Sequence, residues 1–181
     1  MVKALVLAAC LAPALAHAEP AEPADPVATW IGNDEVFGTV GPWWYWGAGL
    51  AVRRELGAHV ELGLEGQVLR VDAQDDNDPR HGFALRGGAT LELPVARTEW
   101  RTVDFRLSPQ VAAASEVFAG LADRRTATEL SVGVRGSFRK VIRPTVQDGH
   151  ARGIGGHITA RLTRAGGELG FQVLIGYDWG L

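Results

Sequence analysis

The carboxyl-terminal segment 171–181 has an apolar or aromatic residue at every second position up to the last residue. The residues between them are mostly small or polar, so the segment has the two-residue period of a β-strand with two unlike faces. Chain ends are usually polar and frayed. A terminal strand this apolar is instead typical of a barrel strand whose outer face contacts hydrocarbon.

The same alternation recurs upstream, where it predicts six further strands that begin near Trp44, Val60, Phe83, Val103, Leu130 and Ile154. Segments this regular and this numerous exclude a helical fold. A single-chain bacterial barrel has an even number of strands, so we expect an eighth strand within residues 27–37. The predicted fold class is all-β, an eight-stranded antiparallel up-and-down transmembrane β-barrel that occupies residues 27–181.

The connections between the predicted strands differ in length. Residues 54–56 and 96–98 are interpreted as short turns, whereas residues 73–80 and 112–125 are longer. If the carboxyl terminus lies in the periplasm, the short turns are periplasmic and the longer segments form external loops. Short periplasmic turns and longer outer loops are the asymmetry expected of an outer-membrane barrel.

Residues 1–18 have the features of a secretory signal peptide, with Lys3, an apolar stretch and a small-x-small cleavage site that ends at Ala18. The apolar stretch is far shorter than a membrane-spanning helix requires. A lipobox-like sequence that ends at Cys10 is an alternative and would make Cys10 a lipidated residue, although few residues precede it. Cleavage after Ala18 would remove the only cysteine, and with it any disulfide or thiolate-bound metal.

Residues 19–26 are predicted to form a tether, rich in proline and acidic residues, ahead of the barrel. Loss of the signal peptide removes one base, Lys3, and no acid, which leaves 17 Lys and Arg against 21 Asp and Glu and a net charge of −4. This charge, and the absence of a basic cluster among the aromatic residues, argues against nucleic acid as a partner.

The residues that alternate with the apolar set carry charges of both signs. Such charges tolerate burial only when they are paired and hydrogen-bonded, so we predict that they form a charge network across a narrow lumen. The predicted network consists of Glu61, Glu65, Arg86, Glu92, Asp104, Arg106, Glu129, Arg135, Arg139, Arg161 and Asp178. His59 and His157 follow the same alternation, and either could contact a buried carboxylate.

Aromatic residues gather where the predicted strands begin or end, as in the Trp and Tyr girdles that mark the two membrane boundaries. The predicted girdle consists of Trp43, Trp44, Trp46, Trp100, Tyr177 and Trp179. Alternation alone also fits a soluble lipocalin-like barrel, which turns its apolar face inward. The aromatic positions, the almost uncharged apolar face and the mixed charges of the other face favour a barrel in lipid.

The alternating strands and the terminal strand together make the chain resemble the small eight-stranded outer-membrane barrels of Gram-negative bacteria, the OmpA/OmpX-like class. Gly176, Trp179 and Leu181 match the places of that class's signal for the barrel assembly machinery. The terminal residue is Leu181 rather than the usual Phe, and Leu174 stands where a polar residue is common. The resemblance implies Sec export to the outer membrane, with the assembly machinery and periplasmic chaperones as partners.

No catalytic, metal or cofactor site is predicted. The acidic segment 72–78 lacks the Gly and the distal Glu of a helix-loop-helix calcium loop and is interpreted as a solvated loop. The mature histidines lack the spacing of a zinc site; they are His59, His81, His150 and His157. A lipid-modifying barrel enzyme would need a nucleophile such as serine. No serine lies in a recognisable nucleophile motif; the serines considered are Ser108, Ser115, Ser131 and Ser137.

The sequence therefore predicts a monomeric, porin-like outer-membrane barrel with a largely closed lumen that side chains fill. Its expected role is structural or surface-interactive, through external loops, with outer-membrane lipid and lipopolysaccharide as partners. Two alternatives stay open: a soluble periplasmic barrel that binds a small apolar ligand, and a lipid-modifying outer-membrane enzyme.

Overall fold

The computed structural model describes residues 29–56, 59–73, 81–119, 126–142 and 152–181. The described residues form nine β-strands: β1 Thr29–Val40, β2 Trp43–Glu55, β3 Glu61–Ala73, β4 His81–Glu92, β5 Ala96–Trp100, β6 Val103–Ala119, β7 Thr126–Ile142, β8 Arg152–Ala165 and β9 Glu168–Gly180. The predicted signal peptide, the tether and the lipobox-like sequence lie outside the described residues.

All strand pairs are antiparallel, and the sheet closes on itself because the first strand pairs with the last. β1 lies between β2 and β9, and β4 pairs with β6 on the far side. The short strand β5 pairs with β6 beyond the point where β4 ends, so β4 and β5 together take the place of one strand in the barrel. The result is a closed eight-stranded up-and-down barrel, and the predicted fold is confirmed. β1 overlaps the segment in which the eighth strand is expected.

A β-bulge separates β4 from β5. The backbone N–H of Leu93 donates to Pro109 O over 2.9 Å, and that of Val95 donates to Leu107 O over 3.0 Å. Ala96 also pairs with Leu107, so two residues oppose one and the strand locally shifts its phase. Pro109 has no N–H with which to return the bond to Leu93, which weakens the regular ladder at this place.

Three predicted connections are wrong in position. Residues 54 and 55 end β2, so the connection to β3 begins only at Leu56. Residues 96–98 belong to β5 rather than to a turn, and the reversal lies at Arg101 and Thr102, where Arg101 has a φ of 58°. Residues 112–119 continue β6 rather than begin an external loop. Alanine-rich and serine-containing sequence in 112–115 hides the alternation, which the inward Ala112, Ala114 and outward Ala113, Ser115 nevertheless keep.

The barrel wall separates an apolar outside from a polar inside. Outward side chains such as Leu64, with 68% of its surface exposed, alternate with inward ones such as Glu65 and Arg135, with 6% and 1% exposed. In the part of the chain that the structure describes, no helix is long and apolar enough to cross a membrane.

The two ends of the barrel differ inside. We call the end that holds Thr29 and Leu181 the terminal end and the opposite end the loop end. Toward the loop end the interior is occupied by an apolar cluster, with Trp43 packed against it, made of Val36, Val40, Tyr45, Leu69, Val71, Ala84, Ala165 and Leu174. Toward the terminal end the interior is charged.

Candidate functional site

The candidate site is the charged interior of the barrel. The structure turns every residue of the predicted network inward; all are buried except Asp104, which is half-buried. Among the described residues, the fully buried charged set comprises seven carboxylates, six guanidiniums and one imidazole. A buried set of this size is tolerated only when its charges are paired, and the half-buried Glu55 and Asp104 add two carboxylates that bond Arg106 and Arg139.

One group of ion pairs occupies the middle of the barrel. Arg86 donates to Glu129 through Nη2 over 2.8 Å and through Nε over 3.2 Å, and also bonds Glu65. Arg161 donates to both carboxylate oxygens of Glu65, from Nη1 to Oε1 over 2.7 Å and from Nη2 to Oε2 over 2.9 Å. Two-pronged contacts of this kind fix geometry as well as charge, because the planar guanidinium matches the carboxylate. Glu65 therefore ties β3 to β4 and β8.

Asp178 on β9 is the centre of a second group. Its Oδ1 accepts from Arg53 Nη1 over 3.1 Å, and its Oδ2 accepts from Arg135 Nη2 over 2.6 Å. His157 Nδ1 lies 3.2 Å from the same Oδ2, while His157 Nε2 lies 2.6 Å from Asp34 Oδ1. The His157 ring therefore lies between the two carboxylates, with one ring nitrogen facing each.

A third group fills the terminal end. Arg139 donates to both oxygens of Glu61 over 2.8 Å each and to Glu55 over 2.6 Å. Arg106 bonds Glu55 and Asp104. The Arg139 guanidinium also lies 4.6 Å from the ring centroid of the fully buried Trp30, within the range of a cation–π contact.

A glycine makes room for the second group. A Cβ at Gly32 would lie 2.6 Å from Asp178 Oδ1 and 2.7 Å from Arg53 Nη1. Any larger residue there would therefore push apart the carboxylate and the guanidinium, so the backbone of β1 must approach the ion pair without a side chain.

Several interior residues escaped the sequence prediction. Asp34 and Trp30 lie on the strand with the weakest pattern, and Arg53 and Glu55 lie past the point where the apolar alternation of β2 stops. Glu116 falls in the segment interpreted as a loop. Strand alternation could have identified them, because each lies an even number of positions from an inward-facing residue on its own strand.

The predicted girdle residues fall into three groups. Trp44 and Trp46 face outward at the loop end, and Trp100, Tyr177 and Trp179 face outward toward the terminal end. Trp43 does not belong to the outward girdle. The alternation that turns Trp44 outward turns Trp43 inward, where it packs against the apolar cluster. Of the predicted assembly signal, Gly176 faces the interior, Trp179 faces outward and Leu181 follows the last strand residue, its N–H donating to Thr29 O.

The residues considered for catalysis and metal binding are scattered. Ser108 and Ser131 are buried inside, Ser137 is half-buried, and Ser115 faces outward. His59 is exposed, and His150 and most of the acidic segment lie outside the described residues. Within the described ranges, no three His, Cys, Asp or Glu side chains are grouped so that they could hold a metal ion.

Comparison with solved structures finds the same architecture. The chain is similar to Neisserial surface protein A (NspA), with a TM-score of 0.52 and 8% sequence identity over 87% of this chain and 98% of that one. This chain has the fold of the small eight-stranded outer-membrane barrels. Ail, the attachment invasion locus protein of Yersinia pestis, aligns with a TM-score of 0.43 and 9% identity over 85% of this chain and 97% of Ail.

The N-terminal β-barrel domain of Pseudomonas aeruginosa OprF aligns with a TM-score of 0.37 and 12% identity, over 82% of this chain and 96% of that domain. No family model matches the sequence. No curated protein matches it either.

Proposed function

We propose that the chain is a small outer-membrane protein of a Gram-negative bacterium, exported by the Sec route and inserted with its terminal end in the periplasm. The observation that carries the proposal is the division of the wall: large apolar side chains outside and ion-paired charges inside. Exposed apolar residues over the full circumference would aggregate in water, whereas a spanning barrel requires them.

The same division argues against the soluble alternative. A lipocalin-like barrel holds its apolar face inside to receive an apolar ligand. Here the inward face presents Arg53, Arg135, Arg139 and their carboxylate partners, which leave no apolar chamber at that level. A barrel with an apolar outer face and a charged interior would expose its large apolar side chains to water in the periplasm, where they favour aggregation.

The proposed role is structural or surface-interactive rather than catalytic or conductive. Ion pairs fill the terminal half of the interior, and the apolar cluster fills the loop half, so solutes have no continuous wide path. The surface available to partners, including lipopolysaccharide, is then the loop end. We propose that the barrel acts as a monomer, without a cofactor, and that the assembly machinery reads Gly176, Trp179 and Leu181 near its terminus.

Fractionation and electrophoresis test the membrane proposal. The expressed chain should be recovered only with detergent, and it should migrate faster on a denaturing gel before boiling than after it. Recovery in the soluble periplasmic fraction, with no shift on boiling, would contradict the proposal and favour the soluble barrel.

Conductance tests the closed interior separately. The folded protein in a planar bilayer should show no stable conductance steps above the background of the protein-free bilayer. Steady openings of porin size would contradict the closed lumen but not the membrane location.

A further inference from the structure

An outward row of side chains near the terminal end places a lysine between two tryptophans. The row consists of direct cross-strand neighbours on β5 to β9, namely Trp100, Val103, Lys140, Ile154 and Trp179. Lys140 is exposed, and about half or more of each tryptophan surface is exposed. The row rises around the barrel, because the chain of neighbours that starts at Val103 returns to β6 at Ala113, ten residues nearer the loop end. Tryptophan on an outer barrel face marks the boundary between hydrocarbon and headgroups, and Lys140 lies between the levels of the two tryptophans, close to that boundary.

An open groove of about 690 Å³ lies directly above this row, on the side of the membrane interior. Its floor includes Gly136, and its walls include Phe105 and Tyr177 together with Phe138, whose ring lies over Gly156. The rings of Phe105 and Phe138 stand 6.5 Å apart, centroid to centroid. The volume falls within the usual range of small-ligand sites.

A second groove of about 700 Å³ continues along the same strands toward the loop end. Its outward walls are apolar and include Val111, Val132, Leu162 and Phe171. The two grooves share β6 to β9, so together they form an apolar track that runs up the wall from the level of Lys140. A track that spans both grooves and is lined by apolar side chains suits an extended hydrocarbon chain better than a compact ligand.

Among the described residues, no carboxylate neutralises the positive charge at the bottom of the track. No described carboxylate is within ion-pair distance of Lys140, and Arg101 stacks on Trp100 with its guanidinium 4.7 Å from a ring centroid. At the loop end, by contrast, the outward Arg70 is paired with Asp72 over 3.1 Å. The unpaired cations at the terminal end are therefore available to a ligand anion.

We propose that this part of the wall is a binding site for an anionic phospholipid of the periplasmic leaflet. The phosphate, which carries the negative charge, contacts Lys140 and Arg101, and one acyl chain lies in the groove over Gly136. The site rests on the proposed function, because it requires that the barrel spans the membrane with its terminal end in the periplasm.

Native mass spectrometry of the folded full-length protein in detergent tests the site. Phosphatidylglycerol and phosphatidylcholine with identical acyl chains are titrated separately, after the shift on boiling has shown that each variant is folded. The unaltered protein should bind phosphatidylglycerol more tightly. Lys140→Gln should weaken phosphatidylglycerol binding about fivefold, the effect of one interfacial cation, and leave phosphatidylcholine binding unchanged.

Gly136→Leu tests the groove rather than the charge. A Cβ at Gly136 would meet only Ile158 Cγ2, at 3.9 Å, so the wall tolerates the leucine while its side chain occupies the groove. Binding of both lipids should weaken. The matched controls are Arg54→Gln, at the terminal end of β2, and Gly66→Leu, whose Cβ would have nothing within 4 Å. Neither control should change binding of either lipid.

Equal affinity of the folded, unaltered protein for the two lipids would overturn this inference alone. So would equal effects of Lys140→Gln and Arg54→Gln. If the unaltered chain neither folds in detergent nor partitions to the membrane, the proposed function fails together with the site.

Discussion

At the scale of single residues, Asp178 has the most demanding environment in the barrel. It accepts hydrogen bonds from Arg53 and Arg135 and faces His157, and its side chain is fully buried. Charges removed from water gain stability only while their partners are present. Loss of this one carboxylate therefore leaves several cations without their nearest counter-charge.

We predict that Asp178→Asn lowers the free energy of unfolding by about 3–5 kcal/mol, the typical cost of breaking a buried pair. The measurement is urea-induced unfolding of the protein in lipid vesicles. Asp72→Asn is the control, since the Arg70–Asp72 pair is partly exposed and should contribute about 1 kcal/mol or less. Equal effects of the two substitutions would show that Asp178 is solvated rather than buried.

Glu35 is an exception to the apolar outer face. It points outward near the middle of β1, and its cross-strand neighbours are Ala48 and Ile175. A carboxylate in this position faces hydrocarbon at a cost smaller than that of Arg or Lys at the midplane but still unfavourable.

We predict that Glu35→Leu raises the free energy of unfolding in vesicles by on the order of 1 kcal/mol. Glu168→Leu, at the start of β9 near the loop-end boundary, should change it much less, because the penalty declines toward the interface. A decrease for Glu35→Leu would mean that Glu35 has a favourable partner in the membrane.

At the scale of elements, the weakest part of the wall is the junction of β4 and β5. The bulge at Val95 and Ala96 and the missing N–H of Pro109 interrupt the ladder. Among the described strands, β5 pairs only with β6, whereas β8 pairs on both sides with β7 and β9. One edge of β5 is thus without a strand partner in the described structure.

We predict that the amides of β5 exchange with solvent deuterium faster than those of β8, because local opening needs fewer contacts to break where a strand is paired on one side. Mass spectrometry or NMR of the protein in micelles measures this directly. Comparable protection of Thr98 and Thr159 would indicate that β5 is covered by another part of the chain.

Much of the element structure follows from the sequence, and the misses have physical causes. Strict alternation identifies β3, β7, β8 and β9, because unlike faces leave a period of two wherever the wall separates lipid from a charged interior. The bulge was not predictable, since one extra residue shifts the phase without any distinctive composition. That shift is the reason why residues 96–98 read as a turn.

Most members of the candidate site were predictable, but their pairing was not. Phase assigns Glu65, Arg86 and Arg161 to one face, yet the sequence contains no record of strand register, which decides which guanidinium meets which carboxylate. The apolar cluster toward the loop end, with Val36 and Leu174, was also missed. Where both faces of a strand are apolar, the sequence does not alternate between apolar and polar residues. The inward apolar residues of such a strand therefore cannot be told from the outward ones.

At the scale of the whole molecule, most of the interior charges lie behind the barrel wall and away from water. Ions in solution screen exposed charges strongly and buried pairs weakly. The contribution of the network to stability should therefore be nearly independent of ionic strength.

We predict that the free energy of unfolding in uncharged vesicles changes by less than about 1 kcal/mol between 0.05 and 0.5 M NaCl, a range over which screening removes most interaction between exposed charges. The control is Asp178→Asn, whose salt response should be equally small. A loss of several kcal/mol with added salt would show that water and ions enter the interior.

The placement of β5 makes the barrel taller on one side than on the other. β3 begins at Glu61, opposite Glu92, whereas the wall formed by β5, β6 and β7 continues through the hairpin that turns at Arg101 and Thr102. A bilayer of uniform thickness cannot match both sides at once. We expect the barrel axis to lean, or the leaflet to thin beside the β2–β3 connection, so that the protein imposes a direction on the lipids around it.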